Sequence, residues 1–328
     1  MKEHSGGIVS LANLSVNKEA MRFVREICEN PKKYNVIVKR SELGAHLVDA
    51  GINAKGGFVV GELIVKICLG GLGETIFSSM NLGGMEVPSI TVYTDHPSIS
   101  TLGSQMAGWR IKLGEYMAIG SGPARAITLK PKRIYEKIGY RDEADEAVLV
   151  LETSKEPPEE AVKVIADLCR VSPKSLFLIL TPTSSVAGLT QISGRIVETG
   201  MYKLAELGLD PSLVSHAWGQ APIPPAHPDD VESMGRANDA ILYGGIAHYF
   251  VNHNDDGFLE GLIKKAVSSA SKDYGKPFSE IFEEAGRDFY KIDPQIFAPA
   301  MMTITNQRTG KTFTAGKINV KVLLKSIR

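Results

Sequence analysis

Gln191, Ser193, Arg195 and Glu198 put an amide, a hydroxyl, a cation and a carboxylate within eight residues. If that segment is helical, Arg195 and Glu198 stand three apart on one face, within reach of each other. A carboxylate beside a guanidinium is either an oriented base for water or a plain ion pair, and spacing alone favours the ion pair. The flanking glycines argue the other way. Gly188, Gly194 and Gly200 interrupt the segment, and each costs about 1 kcal/mol relative to Ala in a helix interior. Glycines at this density signal close approach of another backbone or of a ligand.

Four other places offer chemistry. Residues 120–125 form a Gly/Pro loop after a strand; Gly120, Ser121 and Gly122 would let a backbone approach a phosphate or carboxylate, with Arg125 to pair with it. Pro123 excludes a P-loop, and a tight structural turn accounts for the same residues. Asp95 and His96 end a strand, so His96 could meet a ligand or move a proton, or Asp95 could simply cap a turn. Ser104 and Gln105 begin a helix-like stretch and could hydrogen-bond a heterocycle whose edge carries donors and acceptors; Trp109 reads as core. Lys276, held extended before Pro277, could reach an anionic ligand tail or stay solvated. There is no GxSxG elbow, no Cys in an electropositive turn, no HxH or HExxH pair and no nucleotide fingerprint. What remains is a reaction needing an oriented carboxylate, a cation and water.

The elements that must position these groups follow from periodicity. Helices are expected at 17–28, 59–69, 104–113, 159–171, 257–269 and 277–285, and an interrupted helix at 185–207. Strands are expected at 36–38, 46–48, 89–93, 116–119, 148–151, 176–180, 213–217 and 241–251, with a closing hairpin over 301–305 and 311–315. Residues 219–225 read as a second Gly/Pro loop. The fold class is α+β, a mixed α/β chain. Each half shows a Gln-bearing helix (Gln105, Gln191), a strand and a Gly/Pro loop, an echo that either reflects two similar, duplicated domains with a cleft between them or recurs by chance. The expected division is an extension at 1–14, a domain at 15–152 and a domain at 153–328, with interleaving allowed.

The chain of 328 residues balances 37 basic against 37 acidic side chains, which argues against a nucleic-acid partner. No apolar run approaches the ~18 residues that cross a bilayer, and the polar start argues against a signal peptide. Cys28, Cys68 and Cys169 lie apart in apolar stretches, as reduced thiols of a cytoplasmic protein do.

Read together, residues 94–97 (TDHP), 102–109 (LGSQMAGW), 119–126 (IGSGPARA), 129–132 (LKPK), 191–200 (QISGRIVETG), 273–278 (DYGKPF) and 289–300 (FYKIDPQIFAPA) resemble the methenyltetrahydromethanopterin cyclohydrolase family. The resemblance runs from about Ser15 to the C-terminus. It implies a cytoplasmic homotrimer, without metal or prosthetic group, whose subunits hold a pterin between two similar domains. The implied reaction is reversible hydrolysis of the N5,N10-methenyl cation to N5-formyltetrahydromethanopterin. By the family's pattern Glu198 is the base toward water and Arg195 its orienting partner. His96, Ser104, Gln105, Ser121, Arg125, Gln191, Ser193 and Lys276 are expected to bind the substrate. Met106 stands where some relatives carry a lysine. That departure leaves open a non-catalytic pterin-binding paralogue, and the cations Arg125 and Lys276 leave open action on methenyltetrahydrofolate.

Overall fold

The computed structural model describes residues 14–288 and 291–328, so the expected extension lies almost wholly outside the described residues. In chain order the strands are β1 (Ile37–Arg40), β2 (His46–Asp49), β3 (Glu74–Leu82), β4 (Met85–Thr94), β5 (Trp109–Leu113), β6 (Tyr116–Ser121), β7 (Ala147–Glu152), β8 (Leu176–Thr181), β9 (Val214–Pro222), β10 (Ile246–Val251), β11 (Met301–Asn306) and β12 (Thr312–Gly316). They build two mixed six-stranded sheets, one ordered β1-β2-β8-β7-β6-β5 and the other β12-β11-β10-β9-β4-β3. Each sheet ends at both edges in an antiparallel hairpin, with parallel pairing inside: β2–β8 and β7–β8 in the first, β10–β11 in the second. The sheets interleave along the chain. β3 and β4 join the second sheet from the N-terminal half, and β8 joins the first from the C-terminal half.

β7 and β8 are continuous apolar runs because both of their faces are covered, as parallel strands require. Leu149 and Leu151 pack with Val162 and Ile165 of the helix Glu159–Cys169, whereas Val148 and Val150 pack with Val24 and Ile64 from the helices Val16–Glu29 and Phe58–Cys68. We call these three helices α5, α1 and α2; the short α3 (Ala124–Thr128) and α4 (Lys132–Ile138) lie between them in sequence. The second sheet turns Ala217, Tyr249, Met302 and Ile304 toward Ile196, Val197, Met201 and Leu204. Those four side chains belong to α7 (Ile196–Glu206), which follows α6 (Val186–Ser193) after a short break. The remaining helices are α8 (Asp230–Gly244), α9 (Asp256–Ile263), α10 (Phe278–Glu284) and α11 (Val320–Ile327). The opposite face of the second sheet aligns Tyr93, Trp218, His248 and Thr303 in one cross-strand row, with Tyr93 and Trp218 exposed.

Several expected elements differ: the helix expected at 257–269 ends at Ile263, and residues 120–125 divide between the end of β6 and the start of α3. Residues 104–113 are not a helix: a π-helix, Ser98–Gln105, ends there and β5 begins at Trp109, which pairs with Gly120. Residues 241–251 split at Gly245 into the last turn of α8 and β10, since a short apolar run fits either state. Gly219–Pro222 is not loop but the end of β9: all four residues pair with β4, and Gly219 and Gln220 pair with β10 as well.

Candidate functional site

α6 and α7 form the expected interrupted helix, and the break between them falls at Gly194 and Arg195. The glycines explain why it runs where it does. A Cβ on Gly188 would sit 2.0 Å from the Pro182 carbonyl oxygen, on Gly194 2.4 Å from Val65, and on Gly200 2.2 Å from the Tyr249 hydroxyl. The close approaches are to the protein's own backbone and side chains. They seat Arg195 as the residue that caps α7 and Glu198 in its first turn.

Arg195 is 7% exposed, and its guanidinium is held from three sides. Nε and Nη2 donate to Gln191 Oε1 at 3.2 and 3.1 Å, Nη2 also to Ser121 Oγ at 2.8 Å, and Nη1 to the Gln105 carbonyl at 2.7 Å. Five N–H groups are available on a guanidinium, so these four bonds leave one hydrogen on Nη1. The expected pairing with Glu198 is not what the helix makes: no ion pair or hydrogen bond joins the two among the described residues. Helical spacing brings the residues to one face, but partners 74 and 90 residues away in sequence capture the guanidinium first.

Glu198 is 8% exposed and accepts no hydrogen bond from a described residue. Burial pushes its carboxyl above the ordinary range, and the charges of Arg195 and Arg125 pull it partly back. The result is a carboxylate with free lone pairs, more basic than a solvated one. Tyr249, whose hydroxyl donates to the Val197 carbonyl at 2.7 Å, fixes the same turn of α7.

Gln105 and Gln191, 0% and 1% exposed, both touch this cluster. Gln105 Nε2 donates to the Gly194 carbonyl at 3.0 Å, while its Oε1 has no partner among the described residues. Gln191 Oε1 accepts from Arg195, and its Nε2 has no partner among the described residues. Ser121 ends β6 with its hydroxyl 3.8 Å from Cys68 Sγ, and Ser104 donates to the Cys68 carbonyl at 2.6 Å. Ser193 donates to the Pro222 carbonyl at 2.8 Å and so ties α6 to β9. Cys68 and Tyr249 carry no sequence signal for a place in this cluster; only the fold brings them there.

The other expected residues go elsewhere. Arg125 is fully buried, and every hydrogen bond it makes is to a main-chain carbonyl: Lys130 at 2.8 Å, Ser104 at 2.9 Å and Leu102 at 3.3 Å. It holds the π-helix closed and is not free to grip a ligand's tail. Its contribution to the site is its charge. Lys276 is exposed, lies before α10 and donates to both carboxylate oxygens of Glu284. His96 is exposed and lines a 390 Å³ pocket with Tyr140, Arg141 and Ser215; that pocket includes neither Arg195 nor Glu198. Its neighbour Asp95 pairs with His216 at 2.7 Å instead of capping a turn. Among the described residues no three His, Cys, Asp or Glu side chains gather as a metal-ligand set, and no helix is long and apolar enough to cross a membrane.

The chain as a whole matches known proteins. The family model described as cyclohydrolase (MCH) matches residues 15–327. The methenyltetrahydromethanopterin cyclohydrolase of Methanocaldococcus jannaschii is 48% identical over 317 residues, covering 96% of this chain and 98% of the relative. Enzymes of the same name from Methanococcoides burtonii and Methanothermobacter marburgensis are 45% and 44% identical, each over 95% of this chain and over 98% and 99% of their own lengths.

Proposed function

This chain belongs to the cyclohydrolase (MCH) family, and from that premise we propose that it reversibly hydrolyses N5,N10-methenyltetrahydromethanopterin to N5-formyltetrahydromethanopterin, with Glu198 as the base. The observation that carries this reading is the state of Glu198: enclosed, lifted in basicity by burial, and unpartnered among the described residues. Its lone pairs are free for a water, and its charge suits a cationic substrate. The carbon between the two pterin nitrogens shares a positive charge, so it is electrophilic without a Lewis acid, and the reaction on this reading uses neither metal nor prosthetic group.

Water adds to that carbon as Glu198 takes one of its protons. The neutral adduct then collapses to the formyl group. The bond to N10 breaks, N10 takes the proton held on Glu198, and the hydroxyl proton leaves to solvent. One proton is released per turnover in the forward direction. Arg195, with four N–H groups committed, supports the carboxylate through its charge and offers its one remaining N–H at Nη1.

The protein works, on this reading, as a cytoplasmic homotrimer. Its charge-free row of Tyr93, Trp218, His248 and Thr303 supports burial against another subunit, because interface cores are depleted in charge and rich in aromatics. Sedimentation equilibrium at three times the subunit mass is expected; a monomer would overturn that part. The reaction itself is tested by following the methenyl absorbance of methenyltetrahydromethanopterin, with methenyltetrahydrofolate as control and with a chelator present. Rapid loss with the methanopterin form alone, unaffected by chelator, is the expected result. No loss would overturn the proposal.

A further inference from the structure

Two enclosed atoms of residues that hold Arg195 lack partners among the described residues, and they are of opposite kind: the acceptor Gln105 Oε1 and the donor Gln191 Nε2. The polarity of each amide is fixed by a neighbour that can play only one role. Arg195 only donates, so Gln191 must turn its oxygen to Arg195 and its NH₂ away. The Gly194 carbonyl only accepts, so Gln105 must turn its NH₂ to Gly194 and its oxygen away. Neither amide can flip to suit a different ligand without breaking the bond that holds it.

We propose that Gln105 and Gln191 together read the lactam edge of the substrate's pyrimidinone ring, Gln105 accepting from the ring N–H and Gln191 donating to the adjacent C=O. This rests on the reading of the substrate as a pterin. A lactam edge shows a donor next to an acceptor, the complement of what the two amides leave unmet. The ring carbonyl is also the neighbour of N5, so a bond to it fixes the reacting carbon relative to Arg195 and Glu198. Met106 is half-buried and Ala107 exposed, directly after Gln105 at the end of the π-helix, so the chain reaches the surface within two residues of Gln105. π-Helical turns are poorly bonded and frequent where function requires movement.

The locked polarity makes the site discriminating. A 2-amino-4-oxopteridine offers the matching edge. A 2,4-diaminopteridine inverts it, placing a ring-nitrogen lone pair against Gln105 Oε1 and an amino group against Gln191 Nε2. Sites built to hydrogen-bond a substrate reject ligands that leave those groups unmet by large factors.

The test is competitive inhibition of the wild-type enzyme by the two pteridines, repeated with Gln191→Glu and Gln105→Glu. The 4-oxo compound should bind at least ~100-fold more tightly to wild type. Gln191→Glu keeps an oxygen for Arg195 but presents an acceptor where a donor stood, so it should cut that preference at least ~10-fold by favouring the 4-amino compound. Gln105→Glu keeps the acceptor but loses the donor to Gly194, so it should weaken both compounds alike. If wild type turns over the substrate yet binds the two pteridines equally, or if Gln191→Glu weakens both equally, the two amides satisfy each other and this inference is wrong. If there is no turnover, it is the pterin cyclohydrolase reading that fails. Pteridine-induced shifts in melting temperature give the same ratio for any variant too slow to assay.

Discussion

Two buried guanidiniums lie within electrostatic reach of one carboxylate, and they are held in different ways. Arg125 gives its hydrogen bonds to the main-chain carbonyls of Leu102, Ser104 and Lys130. Arg195 gives three of its four to side chains, those of Gln191 and Ser121. Backbone carbonyls are where the fold puts them, so Arg125 is part of the frame that keeps the π-helix and the turn before β5 in place. Side-chain partners have other faces, and one of Arg195's, Gln191, keeps an Nε2 unmet among the described residues. Burial and charge alone do not separate a structural arginine from a site arginine; the nature of the acceptors does.

Replacing each arginine by Met should therefore break different things. Arg125→Met leaves buried carbonyls without donors and should cost about 3 kcal/mol or more of stability, read from the denaturant midpoint. Arg195→Met should cost less stability but lower turnover ~10- to 100-fold. Equal stability losses in the two variants would erase the distinction. A smaller effect sharpens it. Because the Arg195 charge holds the Glu198 carboxyl down, its removal should move the acid limb of the kcat profile of Arg195→Met to higher pH than in wild type. An unmoved limb would mean that the two groups are not coupled.

Glu198 itself carries a stability cost that follows from the same position. Its carboxyl is raised in the folded state, so the native protein holds that proton more tightly than the unfolded chain does. Its contribution is full below the ordinary carboxylate range, about pH 4, and is lost as pH rises through the native value. Glu198→Gln should thus gain melting temperature relative to wild type between about pH 4 and neutral. A constant offset across that range would place Glu198 in solvent. The smallest effect belongs to Lys276. Its ion pair with Glu284 is exposed, so Lys276→Ala should leave KM and turnover within ~2-fold.

Much of this was legible in the sequence, for reasons that also show where legibility ends. The α6–α7 break was visible because glycines inside an apolar periodic run have few other causes, and the helix Val16–Glu29 because its stripe is clean. The partners of Arg195 were not visible as partners. Helical spacing reports who shares a face, while Gln105 and Ser121 reach Arg195 only through the packing of the π-helix and β6. The π-helix has no local signature here; it depends on a guanidinium that enters from α3. Arg125 looked like a ligand grip because its loop is rich in Gly and Pro, and only its burial shows the other use.

In the proposed mechanism Glu198 takes the proton from water. The direct measurement is the rate at which methenyl absorbance is lost with Glu198→Gln, beside a circular-dichroism spectrum and melting curve showing that the variant is folded. Glu198→Gln should lose at least ~100-fold in turnover with the fold retained. Turnover within ~3-fold of wild type in a folded variant, far short of what removing a general base costs, would contradict it.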